Sequence, residues 1–164
     1  MKTTRSLISF LALAALAFTP SLQAFDAISM SDPATQAQYT ISADGDLSDK
    51  QKTIQFTTVA ISQEKKTTIT SRQTTSFRTG TSKTVGQTFD FLAVIYRKFI
   101  ANPTSGISLG ELGSVEKGGA VEFIAVSPRV LRLVFKSETS ATTTSDFSRA
   151  DVENYLTLLT PIVR

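Results

Sequence analysis

Apolar and polar residues alternate with a period of two through much of the chain between residues 37 and 78, and with a helical period in two later segments. Tyr39 and Ile41 share one side of a strand predicted from Ala37 to Ser42, which the turn-forming Asp44-Gly45-Asp46 ends. A second strand, Thr53 to Gln63, carries Ile54 and Phe56 on its even face but Val59 and Ile61 on its odd face. A bulge near Thr57-Thr58 is expected to restore one buried face. The third, Lys66 to Arg78, sets Ile69 and Phe77 against Lys66, Arg72 and Arg78, and residues 63 to 66 are short enough to be a hairpin connection. Ahead of these strands, residues 25 to 35 read as an irregular arm broken at Pro33 and docked through Phe25, Ile28 and Met30.

Val85, Phe89, Leu92, Tyr96, Phe99 and Ile100 recur on one helical face. Thr84 with Gln87 forms a capping box, Arg97 and Lys98 complement the dipole, and Asn102-Pro103 ends the element. The rival for Phe89 to Tyr96 is a pair of buried strands, and periodicity favours the helix. Residues 102 to 119, with five glycines, read as a long mobile loop. Ala120 to Val126 and Arg129 to Lys136 follow as a tight hairpin or one kinked strand interrupted at Ser127-Pro128. After a polar link from Thr139 to Ser145, Ser148 and Asp151 form a second capping box, with Phe147 and Val152 placed as a hydrophobic staple. Val152, Tyr155, Leu156 and Leu159 then make one apolar stripe before Pro161. No internal repeat is visible in the sequence. The order of elements predicts an α+β fold: a mainly antiparallel sheet of about four to five strands with two helices packed on one face.

The first 24 residues follow a different pattern: Lys2 and Arg5, an apolar run from Leu7 to Phe18, then Pro20 and Ser21-Leu22-Gln23-Ala24. These are the regions of a secretory signal peptide cleaved after Ala24, which leaves residues 25–164 as a single domain. The apolar run is shorter than the roughly 20 residues needed to cross a bilayer as a helix, so no membrane anchor is expected after cleavage. Without the leader, 15 basic and 14 acidic side chains remain. No run of Lys or Arg exceeds two, so nucleic acid is not expected as a partner. The sequence has neither cysteine nor an Asn-x-Ser/Thr site, since Asn102 precedes Pro103 and Asn154 has no Ser or Thr two positions on. A bacterial periplasmic or secreted location fits this best.

The chain has no His and no Cys, which removes catalytic triads, thiolate nucleophiles and the usual zinc sites, and no cofactor is expected. Ser62-Gln63-Glu64-Lys65 and Ser114-Val115-Glu116-Lys117 match a Ser-x-x-Lys pattern that chance alone supplies about once in a chain of this composition. Asp44-Gly45-Asp46-Leu47-Ser48-Asp49 spaces oxygens like a calcium loop, but lacks the glycine at position six and the glutamate at position twelve. No metal site is expected there. Thr and Ser make up 37 of the 140 residues after Ala24, which suits exposed strand faces.

Two functional classes remain. The first is an exported, non-enzymatic domain that binds a partner protein or a cell-envelope component through the glycine-rich loop, with Leu109, Glu111, Leu112, Val115, Glu116 and Lys117 as the contact residues. The second is a carboxylate-dependent hydrolase of envelope polysaccharide, which requires two of Asp90, Glu111, Glu116 and Glu122 to converge in a cleft at about 5–10 Å.

Overall fold

The computed structural model describes residues 25–50, 52–78, 82–102, 104–114 and 119–163; the expected signal peptide lies outside them. The elements run in chain order as β1 (Ile28–Ser31), β2 (Gln38–Ala43), β3 (Thr53–Glu64), β4 (Thr67–Arg78), α1 (Val85–Ile100), β5 (Ile107–Ser114), β6 (Gly119–Ser127), β7 (Val130–Lys136), β8 (Thr143–Ser148) and α2 (Arg149–Leu159). The strands form two four-stranded antiparallel sheets, β1-β2-β3-β4 and β5-β6-β7-β8. The class is α+β, as the sequence predicts, but with eight strands among the described residues in place of four to five. The plan of four strands and a capped helix occurs twice, although no sequence repeat announces it.

The additional strands arise where local pattern is weak. The expected irregular arm contains β1, in which Ile28 and Met30 stand opposite Ile41 and Tyr39 and pack against the core. The expected mobile loop contains β5: Leu112 is 1% exposed and Leu109 lies partly buried against the core. Two glycines in β5 answer to close contacts. A Cβ on Gly110 would lie 2.8 Å from Ile95 Cδ1 of α1, and one on Gly113, at φ +87°, would lie 2.7 Å from the Gly119 carbonyl oxygen. The polar stretch before α2 contains β8, held to β7 by register from Val130↔Ser148 to Phe135↔Thr143. β6 and β7 form a true hairpin, whose turn is Pro128-Arg129 and not Ser127-Pro128, since Ser127 still pairs with Val130.

Both helices begin with the predicted capping boxes, at Thr84 with Gln87 and at Ser148 with Asp151. The first is braced further: the Val85 and Gly86 amides donate to the carbonyls of Asp49 and Leu47, so the acidic turn closes the open end of α1. Arg149 ties the two helices to the β6–β7 turn. Its guanidinium donates to the carbonyls of Ile100 and Pro128 and to the side chains of Asn102 and Glu153.

One hydrophobic core joins everything. α1 reaches the second sheet through Phe91, whose ring centroid is 6.0 Å from that of Phe123, and the first sheet through Tyr96, 6.2 Å from Phe56. α2 inserts Tyr155 between Tyr39, Phe56 and Phe147, at 5.3, 4.8 and 5.3 Å. Burial raises the Tyr39 hydroxyl to about 12, with the Asp151 charge as the second cause, and the Tyr39 hydroxyl donates to Asp151 Oδ1. The α2 stripe departs from expectation at one position: Leu158 is buried while Leu156 is only partly so. Replacing the fully buried Leu159 by Ala should therefore cost about 2–5 kcal/mol in chemical denaturation, and Leu156→Ala distinctly less. Equal losses at the two positions would contradict this packing.

Candidate functional site

Of the six residues predicted to make contacts, Leu112 is closed off in the core and Leu109 is partly so. Glu111 is exposed, and Val115, Glu116 and Lys117 lie outside the described residues. Among the four candidate acids, Glu111 and Glu122 do come together, directly opposite one another on β5 and β6. They stand on the outer face of the sheet and not in a cleft. Lys136 Nζ lies between them, 3.1 Å from Glu111 Oε2 and 2.6 Å from Glu122 Oε2. Its hydrogen bond to Glu122 holds that carboxyl below the ordinary 4.5, which makes it a poor proton donor near neutral pH. Asp90 is half-buried on α1, a different element from the two strands that carry this pair.

The other sequence motifs resolve into structure. In the acidic turn, Asp49 Oδ2 accepts from the Asp46 amide and Asp46 Oδ1 from the Leu47 amide, so these carboxylates cap backbone groups. No group of three or more acidic ligands suited to a metal occurs among the described residues. Ser62 sits on a strand and Lys65 in a turn, which is not the helix opening that Ser-x-x-Lys catalysis needs.

What the sequence did not indicate is the shape of the β3–β4 hairpin. The expected bulge at Thr57-Thr58 is absent: register runs unbroken from Thr53↔Arg78 to Glu64↔Thr67. Ile54 and Phe56 are buried, and the strand then simply leaves the core, so that Val59 and Ile61 need no common face with them. β2 ends where Gln38 meets Val59, and the five pairs from Ala60↔Ser71 to Glu64↔Thr67 have no third strand. Every residue from 61 to 70 is exposed, including Ile61 at 44% and Ile69 at 43%, the latter expected in the core. The signal for this was available: between Ala60 and Ser76 only Ile61 and Ile69 are aliphatic, too few to bury two strands.

At the tip of this arm, Lys65 and Lys66 both have positive φ, 45° and 72°. Two-residue hairpin turns favour Asn-Gly for this conformation, and a residue with a Cβ costs about 1–2 kcal/mol at each position. The arm continues the outer face of the first sheet, which is hydroxyl-rich. Ser29, Thr40, Thr57 and Thr74 form one row across its four strands, with Thr57 Oγ1 and Thr74 Oγ1 3.1 Å apart.

The inner edges of the two sheets, β4 and β8, meet through side chains. Thr75 Oγ1 and Ser145 Oγ are 2.8 Å apart, and Gln73 Nε2 donates to the Asp146 carbonyl oxygen at 3.2 Å. Beside this seam lies a shallow groove of about 300 Å³ lined by Thr74, Thr75, Ser76, Phe135, Thr143, Thr144 and Ser145. Its lining carries hydroxyls and one aromatic ring but no titratable side chain, so it offers hydrogen bonding without acid–base chemistry. No helix among the described residues is long and apolar enough to cross a membrane. Comparison with protein-family models, with curated proteins and with solved structures gives no match.

The Glu111–Lys136–Glu122 cluster yields a check on its structural role. Lys136→Met leaves two carboxylates face to face and should lower the thermal midpoint by a few degrees at neutral pH. Because Glu122 is depressed in the folded state, its contribution is present above 4.5 and fades as pH falls through the lowered value. The difference between wild type and variant should therefore shrink on acidification. A difference that grows would contradict the ion-pair assignment.

Proposed function

We propose that the chain is an exported, non-enzymatic domain that binds a partner protein or a cell-envelope component, with the β3–β4 arm as its contact element. The export part rests on the basic start, short apolar run and small-residue end of residues 1–24, and points to a bacterial periplasmic or secreted location. The contact part rests on one observation: a hairpin that extends five residue pairs beyond its sheet, with residues 61–70 all exposed. Nothing in the core requires those residues. Isolated two-stranded hairpins are marginal in water, and this one also has two left-handed lysines at its turn. Such an element is retained for what it touches, and its hydroxyls, exposed Ile61 and Ile69, and basic tip suit a contact surface.

The reading is non-enzymatic for two reasons. The sequence lacks His and Cys, and the carboxylates that converge are bridged by a lysine on an open face. That geometry gives the polysaccharide hydrolase no support, since a glycosidase needs one protonated carboxyl facing a second across the substrate.

Trimming the arm tests the reading. Replacing residues 61–70 by Asn-Gly keeps Ala60↔Ser71 as the closing pair. The trimmed chain should keep its thermal midpoint to within a few degrees, because only exposed residues are lost. Its retention on immobilised envelope extract should fall at least tenfold against the untrimmed mature chain. Unchanged retention would remove the arm as the contact element.

A further inference from the structure

We infer that the arm takes its partner by strand addition: an extended, acidic polypeptide segment pairs with the free edge of β4 at Thr68, Thr70 and Arg72. The inference rests on the arm being the contact element and specifies how it makes contact.

The backbone supplies the first part. In an antiparallel hairpin closed by two residues, the flanking pair exchanges both hydrogen bonds and the pattern then alternates. Here Glu64↔Thr67, Ser62↔Ile69 and Ala60↔Ser71 are the bonded pairs. Thr68, Thr70 and Arg72 therefore turn their N–H and C=O groups away from β3. β4 is the terminal strand of its sheet, and residues 67–74 are all exposed. The side-chain contacts that tie β4 to β8 begin only at Gln73. This leaves a run of outward-facing donors and acceptors on which an extended chain can add.

Charge selects the occupant. Residues 59–72 contain Lys65, Lys66 and Arg72 against the single carboxylate of Glu64. Among the described residues none of these cations is in an ion pair. A second copy is disfavoured, because antiparallel pairing of two β4 edges about Ile69 sets Lys66 of one opposite Arg72 of the other. An acidic strand meets no such penalty. Ile69 points to one face of the arm and Arg72 to the other, so alternating apolar and acidic residues match the two faces.

The test uses the mature chain and a labelled ten-residue peptide of alternating valine and glutamate, with a lysine-for-glutamate peptide as the comparison. Binding is read by fluorescence anisotropy and its location by amide hydrogen exchange. The glutamate peptide should bind and slow exchange at Thr68, Thr70 and Arg72, and the lysine peptide should bind at least tenfold more weakly. Thr70→Pro deletes one outward N–H without touching the β3 ladder and should weaken binding at least tenfold. Should that variant lose thermal stability, Arg72→Glu carries the same test through charge, with the same expected loss. Strand addition is overturned by no measurable binding up to millimolar peptide, by equal affinity for the two peptides, by undiminished binding to the variants, or by protection elsewhere. The two readings fail separately: unchanged retention of the trimmed chain on envelope extract removes the arm as the contact element, whereas if trimming abolishes retention while Thr70→Pro preserves it, the arm is the contact element but strand addition is not its mode.

Discussion

The structure depends on Tyr155. From the middle of α2 its ring touches Tyr39 on β2, Phe56 on β3 and Phe147 on β8, and so links a helix to both sheets at one point. Phe56 extends the cluster to Tyr96 of α1. Such edge-on and tilted aromatic contacts add to a large burial of apolar surface. They matter more here than in a single sheet, because among the described residues β4 and β8 meet through side-chain hydrogen bonds and the two sheets share no ladder. The helices, and this ring cluster within them, are what make the two halves one core.

The same residue marks where the core ends. The Tyr155 hydroxyl lies 2.7 Å from Thr58 Oγ1, and one residue later β2 stops at Val59. Beyond that point β3 and β4 have only each other. The arm is thus a consequence of two lengths: strands of twelve residues on a core that supports about the first six. In the second sheet the strands run six to nine residues. A hydroxyl-rich surface, a basic tip and a free edge are therefore gathered on the part of the chain that folding least requires.

The legible parts of the fold were those whose signal is local. Both capping boxes, the helical stripes and Tyr39 with Ile41 could be read directly from spacing, while the segment of β6 and β7 read equally as a hairpin or as one kinked strand. β1, β5 and β8 could not, because each is made a strand by its neighbour: β1 is four residues long, β5 carries two glycines whose positions are set by α1 and by Gly119, and β8 is polar except for Phe147. Glycine density makes the segment that carries the expected contact residues read as free, whereas Gly110 and Gly113 answer to crowding. The change of face between Phe56 and Val59, which reads as a bulge if every strand residue belongs to the core, marks the exit of the strand from it.

Native-state hydrogen exchange against denaturant separates core from arm most directly. Amides of residues 61–64 and 67–70 should exchange by local opening, with a free energy well below that of global unfolding and little dependence on denaturant, while those of Ile54 to Thr58 exchange only as the whole domain unfolds. Arm amides protected to the global level would contradict the division, and would make the hairpin part of the folding unit instead of an element presented to a partner.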